Sequence, residues 1–417
     1  MPTQTVSFSL DVRRQLFDNV TAVVRDRFFD PRFNGHDWNG LVHSRRERVL
    51  GAEEPAGFVF EMQDLLNQLG VNPVHFFHQS GAVVPFQRVA WATLFPTSQQ
   101  WIFQDVHLDG PAFNAGIEPG DILLAINQVP VHPAQPVELP AAAAVTLTIE
   151  KRDGKRISVN LQHLPSNKTG SQPPRIVSCS QPANGVGYIK VSRFPGLVGV
   201  DLAKDIDGAF RQLANCERLI VDLRGNPGGG SANLRLMSYF TPDRLPVGYS
   251  LTRQRAARGY RREELPQFRR IPSSKVALIW LALRFKFADK SIVVVTEGFG
   301  RRRFHGNMVL LVNQHTTSGA EIVAGFAREH RLATIVGQRT AGRLFGWSTF
   351  RLEYGYRLVL PVSNYVTWEG KCFEGEGIRP DFEVDFAPDA AREGRDNQLE
   401  QAVLVAKSLA SDPAPMR

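Results

Sequence analysis

The chain has 417 residues, 43% of them apolar and 22% charged, and it carries a net charge of +8. It is too long for one ordinary domain and too apolar for a disordered chain, so we expect two or three packed domains. The three cysteines, Cys179, Cys216 and Cys372, lack the spacing of a zinc site or of a disulfide framework. No cluster of metal ligands is evident in the sequence, so we expect neither a metal nor a cofactor.

Signals for membrane insertion or export are not evident in the sequence. Residues 1–17 lack the basic and apolar regions of a signal peptide, and no uninterrupted apolar run approaches 18 residues. We therefore expect no transmembrane segment. The expected location is cytoplasmic, or periplasmic if a leader has been removed.

The positive charge is concentrated in one stretch, residues 241–305, which we call the basic insertion. It holds 15 Arg and Lys against 5 Asp and Glu. One interpretation is a solvated flap, and the other is a patch for an acidic partner. No nucleic-acid-binding motif accompanies the basic residues, so we expect no nucleic-acid partner.

Residues 1–80 are predicted to form a helical domain. Leu16, Val20 and Val24 recur at the spacing of one helix face. Gly70 is a suitable C-cap for a second helix. The apolar stripe of that second helix is formed by Phe58, Met62, Leu65, Leu66 and Leu69.

Residues 81–164 are predicted to form a small β domain. Apolar segments at 101–106 and 145–150 flank the glycine-rich run 110–121, and residues 152–155 favour a hairpin turn. The run Ala115-Gly116-Ile117-Glu118-Pro119-Gly120-Asp121 within this setting resembles a bacterial PDZ domain. PDZ domains bind peptide ends by adding a strand to a sheet edge, so the resemblance implies a peptide C-terminus as a partner.

Residues 165–417 are predicted to contain a linker and an α/β core. The linker, 165–182, is mostly polar and rich in proline. After Val186, apolar segments typical of buried strands alternate with helical patterns, which favours a multidomain α/β fold class. These strands are expected at residues 188–191, 219–223, 308–312 and 333–336.

Ser318 lies between an apolar run and a helix-like run, at a predicted strand-to-helix turn. The N–H groups of a first helical turn are unpaired and carry partial positive charge. Such a turn can stabilise an oxyanion beside a nucleophilic oxygen. A serine after two threonines also commonly caps a helix, so this motif alone is compatible with both roles.

Two further motifs accompany this turn. In Asp222-Leu223-Arg224-Gly225-Asn226-Pro227-Gly228-Gly229-Gly230 the glycines let the backbone approach a ligand closely and direct N–H groups at it. The motif lacks Gly-Lys-Ser/Thr, which excludes a phosphate-binding P-loop. The other motif, residues 373–381, is a glycine-rich turn that carries Glu374 and Glu376.

These motifs, in a chain that matches from about residue 20 to 385, resemble the C-terminal processing (tail-specific) and tricorn-core serine peptidases. The resemblance implies a ClpP/crotonase-like core with Ser318 as nucleophile. It also implies an oxyanion hole formed by Gly319 with Gly228 or Gly229. The processing branch has a lysine base 25 residues beyond the serine, where this chain has Arg343. Because an arginine stays protonated, it cannot accept the serine proton.

The arginine therefore indicates the tricorn-like branch, in which a histidine is the base and a glutamate orients it. Carried over residue by residue, these roles fall on His75 and Glu374, with His78 and Glu376 as fallbacks. Val74 stands where that branch has a serine. Arg343 would then neutralise a substrate carboxylate or be structural. Two other residues offer a possible base. His315 is close to Ser318 in sequence but is expected on the approaching strand, pointing away from Ser318, and Lys371 offers an amine that is remote from Ser318 in the sequence.

The sequence thus predicts a serine endopeptidase that acts on polypeptides through Ser318, His75 and Glu374. Assembly into a homo-oligomer is left open. The alternative is a non-catalytic relative that binds peptides or small apolar ligands, which Val74 and the basic insertion favour. The intact serine, oxyanion glycines and glutamate favour the enzyme.

Overall fold

The fold is described from a computed structural model that covers residues 8–72, 74–81, 83–140, 144–162, 175–195, 199–271 and 291–409. It is an α/β architecture with several sheets and hydrophobic cores, which confirms the α/β class. Within these ranges, no helix combines the length and the apolarity that crossing a bilayer requires.

Three helices open the described chain, α1 (Leu10–Arg27), α2 (Trp38–Gly51) and α3 (Pro55–Asn67). Ser9 caps α1 by accepting the Val12 N–H, and Asp37 caps α2 by accepting the Gly40 N–H. α1 and α3 carry the predicted apolar stripes, and in the structure these stripes meet in a common core. Strand β1 (His75–His78) follows and adds Phe76 to this core.

The next segment forms a six-stranded antiparallel sheet in the order β3-β4-β5-β8-β9, with β6 paired to β5. The predicted strands, the hairpin turn and a short helix in the glycine-rich run are all present. A separate apolar core lies under the sheet. The elements are β2 (Val83–Pro85), α4 (Phe86–Ala90), β3 (Ala92–Pro96), β4 (Trp101–Val106), α5 (Pro111–Asn114), β5 (Ile122–Ile126), β6 (Val129–Pro130), β7 (Glu138–Pro140), β8 (Ala144–Glu150) and β9 (Arg156–Gln162).

The remaining elements begin with β10 (Val177–Ala183), β11 (Val186–Val191), α6 (Val200–Gln212), β12 (Arg218–Asp222), α7 (Asn233–Ser238), β13 (Pro246–Thr252), α8 (Arg253–Arg258), β14 (Gln267–Phe268) and β15 (Ile292–Val295). They continue with β16 (Asn307–Val312), α9 (Gly319–Glu329), β17 (Thr334–Gly337), β18 (Gly346–Arg351), β19 (Tyr356–Thr367), β20 (Phe382–Glu383), α10 (Pro388–Arg392) and α11 (Asn397–Ser408).

Two sheets are built from these strands. The core sheet has the order β10-β11-β12-β16-β17-β20 and is parallel from β11 onward. Apolar clusters cover it on both faces, which explains why β12 and β16 are continuous apolar runs. The outer sheet has the order β1-β19-β13-β15-β14, with β18 paired to β19.

The structure departs from the predicted segments at two places. Residues 177–182, expected within the linker, belong to β10, which pairs with β11. Strand β1, inside the predicted helical region, pairs with β19 of the outer sheet. Alternating polar residues conceal β10, since only one of its faces needs to be apolar. Part of the linker, 163–174, and part of the basic insertion, 272–290, lie outside the described residues.

Candidate active site

Ser318 lies at the turn between β16 and α9, as predicted, and is the N-cap of that helix. Its backbone has φ 52° and ψ −120°, a conformation that non-glycine residues rarely adopt. The Arg343 carbonyl accepts the Ser318 N–H at 2.9 Å. This contact fixes the strained turn against the chain segment that leads into β18.

Glu321 organises the turn, a role that the sequence interpretation missed. Its fully buried carboxylate accepts N–H groups of Ser318 at 3.0 Å, Gly342 at 2.7 Å and Arg343 at 2.8 Å. It also accepts the Thr340 hydroxyl at 2.6 Å. Burial raises the pKa of Glu321, and these four donors counteract that effect. The sequence contains a signal for this role, because Ser-x-x-Glu before an apolar helix is a capping-box pattern.

The glycine loop, residues 224–230, lies directly against this turn. A Cβ added to Gly228 would stand 2.6 Å from the Ser318 Cβ, so only glycine fits there. Asn226, another residue that the sequence analysis did not single out, organises the loop from within. Its side chain accepts the Gly228 N–H at 2.7 Å and donates to the Val191 carbonyl at 2.8 Å.

The hydrogen bonds distinguish the two candidate oxyanion glycines. The Gly228 N–H is taken by Asn226, whereas among the described residues no acceptor is bonded to the N–H of Gly229 or Gly319. The Gly229 nitrogen is 3.6 Å from the position of a Cβ added to Gly319. Two unpaired amides therefore lie close together beside Ser318.

Buried charges hold the start of the glycine loop. Asp222, fully buried at the end of β12, binds the Arg224 guanidinium at 2.8 Å. The same guanidinium makes two bonds to Asp396, at 2.8 and 2.7 Å, and Asp396 caps α11. Burial opposes ionisation of Asp222, but Arg224 and Lys190 lower its pKa well below the usual range. The C-terminal helix is thus linked to the loop by a bidentate ion pair.

The β domain also holds the glycine loop, at Gly225. The Gly225 carbonyl accepts from Gln87 Nε2 at 2.6 Å and lies 3.0 Å from His107 Nε2, and both side chains belong to residues 81–164. A carbonyl only accepts, so His107 carries its proton on Nε2. The Asn313 side chain accepts the Gly225 N–H at 3.0 Å and donates to Asp105 at 2.8 Å.

Glu374 lies beside the nucleophile turn, and Glu376 does not share its contacts. Glu374 Oε2 accepts N–H groups of Leu344 at 2.5 Å and Phe345 at 2.9 Å. Burial raises the pKa of Glu374, the two amides lower it, and the nearby Glu321 raises it again. Oε1 has no hydrogen-bond partner among the described residues. Glu376 is exposed.

Most of the histidine rings in the described part of the chain form hydrogen bonds to groups other than Ser318. His78 places its two ring nitrogens on the Ser80 hydroxyl and the Tyr354 carbonyl, at 2.6 and 3.0 Å. His315 lies in the turn after β16, not on the strand, and points to the Leu94 carbonyl at 3.1 Å. His163 lies outside the described residues.

His75 is exposed on β1, and its ring has no hydrogen bond within the described ranges. No hydrogen bond joins it to Ser318 or Glu374 in those ranges. Arg343 is exposed, and its backbone accepts the Ser318 N–H. Lys371 is also exposed and pairs with Glu369 at 3.0 Å. The structure therefore brings together Ser318, Gly229, Gly319, Glu374 and Arg343, and leaves His75 on the neighbouring sheet.

Residues 185–384, which contain this turn, the glycine loop and Glu374, match peptidase family S41. Two curated relatives are similar to this chain over longer stretches. The carboxyl-terminal-processing protease of Synechocystis sp. is 27% identical over 66% of this chain and 57% of its own length. The putative tricorn protease homolog 2 of Streptomyces coelicolor is 24% identical over 96% of this chain and 33% of its own.

A solved structure, the photosystem II D1 C-terminal processing protease, matches the fold with a TM-score of 0.57 and 18% identity. The match covers 96% of this chain and 98% of that one. The chain spans between about a third and three fifths of the length of the curated relatives it matches first.

Replacing Glu321 by Gln should loosen the turn that carries Ser318. The amide would offer a donor where the turn already presents donors, so at least one of the four bonds is lost and two N–H groups oppose each other. We expect a loss of about 2–4 kcal/mol in unfolding free energy. Urea unfolding of Glu321→Gln measures this, with the exposed Glu400→Gln as control. Equal stability of both variants would contradict the role given to Glu321.

His107 should make stability depend on pH. Burial, and then Lys190, lower its pKa to about 4 from an ordinary 6.5. Between these values the unfolded chain binds more protons than the folded one, so stability falls as pH drops from about 6.5 to about 4. The shift corresponds to about 3 kcal/mol. Urea unfolding across this range should show the loss in wild type and a smaller one in His107→Gln. Parallel curves would contradict this assignment.

Proposed function

We propose that the protein is a serine peptidase that hydrolyses polypeptides through Ser318. The pair of unpaired amides, Gly229 and Gly319, beside the Ser318 Cβ carries this proposal. Acyl transfer builds negative charge on a carbonyl oxygen, and two preorganised N–H donors are the arrangement that stabilises it. The N–H groups on either side of Gly229 are bonded, that of Gly228 to Asn226 and that of Gly230 to Phe194, which holds the loop in place around the Gly229 donor.

In the proposed reaction the Ser318 hydroxyl transfers its proton to His75 as its oxygen bonds to the substrate carbonyl carbon. The carbonyl oxygen becomes the oxyanion held by Gly229 and Gly319. When the C–N bond breaks, the imidazolium returns the proton to the leaving amine. Water then attacks the acyl-enzyme by the same route, and the serine hydroxyl is regenerated with a new carboxyl terminus.

His75 is proposed as the base because its competitors are occupied. His78 and His315 have contacts directed away from Ser318, and His107 is buried against Gly225. Glu374 keeps Oε1 unpaired, which makes it available to orient the imidazole and to stabilise its cation. Because the resting structure contains no bond between His75 and Glu374, closure of the outer sheet onto the turn is part of the proposal.

Arg343 is proposed to bind a substrate carboxylate. Its side chain is exposed, it stays cationic, and its backbone lies on the nucleophile turn. The β domain, residues 81–164, is proposed to be a PDZ domain that binds peptide ends. The alternative of a non-catalytic binding protein has no support in the comparisons, since the matched relatives are named as proteases.

An unstructured, fluorescently labelled polypeptide tests the proposal. Wild type should cleave it, and Ser318→Ala should lose at least about 10³-fold in kcat and all labelling by a fluorophosphonate. His75→Ala should lose a similar factor because the base is missing. His78→Ala, three residues further along the same strand, should keep a kcat within a few fold of wild type.

Equal labelling of wild type and Ser318→Ala would exclude Ser318 as nucleophile. Activity that survives in His75→Ala but disappears in His78→Ala would reassign the base. If a metal chelator abolishes the activity of wild type, and Ser318→Ala is as active as wild type, the cleavage follows another mechanism.

A further inference from the structure

Strand β18 starts beside the nucleophile turn. The Ser318 N–H bonds the Arg343 carbonyl, and the amides of Leu344 and Phe345 bond Glu374. Three residues after Arg343, the chain enters β18 at Gly346. A polypeptide placed along this strand would therefore pass the site at which Ser318 acts.

One edge of β18 is open. The strand pairs with β19 along its whole length, and no other strand in the described ranges pairs with it. In an antiparallel pair, every second residue directs its N–H and C=O away from the partner. Native proteins usually protect such edges with proline, charge or a covering loop, because the free groups attract another strand. β18 contains no proline and carries one charge, Arg351, at its far end.

The side chains of β18 divide between two faces. Phe350 packs against the helical core, whereas Trp347 is 52% exposed. Thr349 pairs with Val359, which pairs on its other side with His75. Since directly paired residues project on the same face, His75 and Thr349 share a face, and Trp347 joins them two residues along. The exposed tryptophan thus lies on the face that carries the proposed base.

From this geometry we propose that the open edge of β18 receives the extended polypeptide substrate and that Trp347 binds one of its apolar side chains. The inference rests on the proposed peptidase function and specifies its substrate class. Main-chain bonds to the edge supply affinity irrespective of sequence, and the indole face supplies preference for an apolar or aromatic residue. Edge pairing with a second copy of this chain is the competing occupant. The substrate is favoured because β18 continues directly from the turn that carries Ser318.

Binding in the Ser318→Ala background separates recognition from cleavage. The probes are two labelled unstructured peptides that differ at one position, leucine in one and serine in the other. Trp347→Ala should weaken binding of the leucine peptide about tenfold and leave the serine peptide within twofold. Phe60→Ala, a matched aromatic with 66% exposure on α3, should change neither. Equal weakening of both peptides, or none, would overturn the role of Trp347.

N-methylation of the leucine peptide tests the edge itself. A methyl group on every second amide should weaken binding about tenfold because those N–H groups face β18, and the intervening positions should tolerate it. A scan without this period of two would overturn strand addition. Sedimentation of the free protein at rising concentration completes the test, since a dimer that persists at saturating peptide and does not bind it would assign the edge to a second copy.

These outcomes are distinct from failure of the proposed function. If Ser318→Ala cleaves like wild type, the peptidase assignment fails. If wild type cleaves by Ser318 but neither Trp347→Ala nor N-methylation changes binding, only the edge assignment fails.

Discussion

The site depends on how completely the backbone of the glycine loop is hydrogen-bonded. Three side chains from outside the loop and one within it hold its peptide groups. Lys190 donates to the Arg224 carbonyl, and His107 and Gln87 donate to the Gly225 carbonyl. Asn226, inside the loop, accepts the Gly228 N–H. An isolated loop rich in glycine would have many conformations, and ordering it costs about 1–2 kcal/mol per residue. Buried polar partners offset that cost, and they leave the Gly229 N–H without an acceptor in the described structure. The donor that the loop contributes to the proposed oxyanion hole is thus an amide that the described hydrogen bonds do not use.

The same network links distant parts of the chain to the loop. His107 and Gln87 come from the β domain, and Asp396 comes from the N-terminus of the last helix. Because Asp222 and Arg224 are buried, removal of one partner would leave an uncompensated charge, which costs about 3–5 kcal/mol. A displacement of the β domain would break the hydrogen bonds that Gln87 and His107 make to the Gly225 carbonyl. The position of that domain and the conformation of the glycine loop are therefore energetically coupled.

Much of this arrangement could be predicted from the sequence. What could not be predicted are the contacts between residues that lie far apart in the chain. The turn at Ser318 follows from a local pattern, an apolar run, a polar loop and a helical stripe, and the structure contains it. Glu374 came from family resemblance and lies at the turn. Gly229 is preferred to Gly228 as the proposed donor because Asn226 accepts the Gly228 N–H. The apolar periodicity of a sequence does not predict how a side chain such as that of Asn226 is oriented. The partners His107 and Asn313 lie far from Gly225 in the chain, so only the tertiary fold reveals them. β10 was missed because a half-exposed edge strand has the composition of a linker.

The separation of the proposed catalytic groups between two sheets has a physical consequence. Ser318, Gly229 and Gly319 are fixed on the core sheet, whereas His75 is carried by β1 of the outer sheet. Glu374 joins the two, because its carboxylate binds the amides that lead from the nucleophile turn into β18. A substrate strand added to β18 would extend the outer sheet at the edge away from β1, with β18 and β19 between the substrate and His75. Because all these strands belong to one sheet, binding energy that moves this sheet towards the Ser318 turn would move His75 with it, so that extended polypeptides would promote the proposed closure.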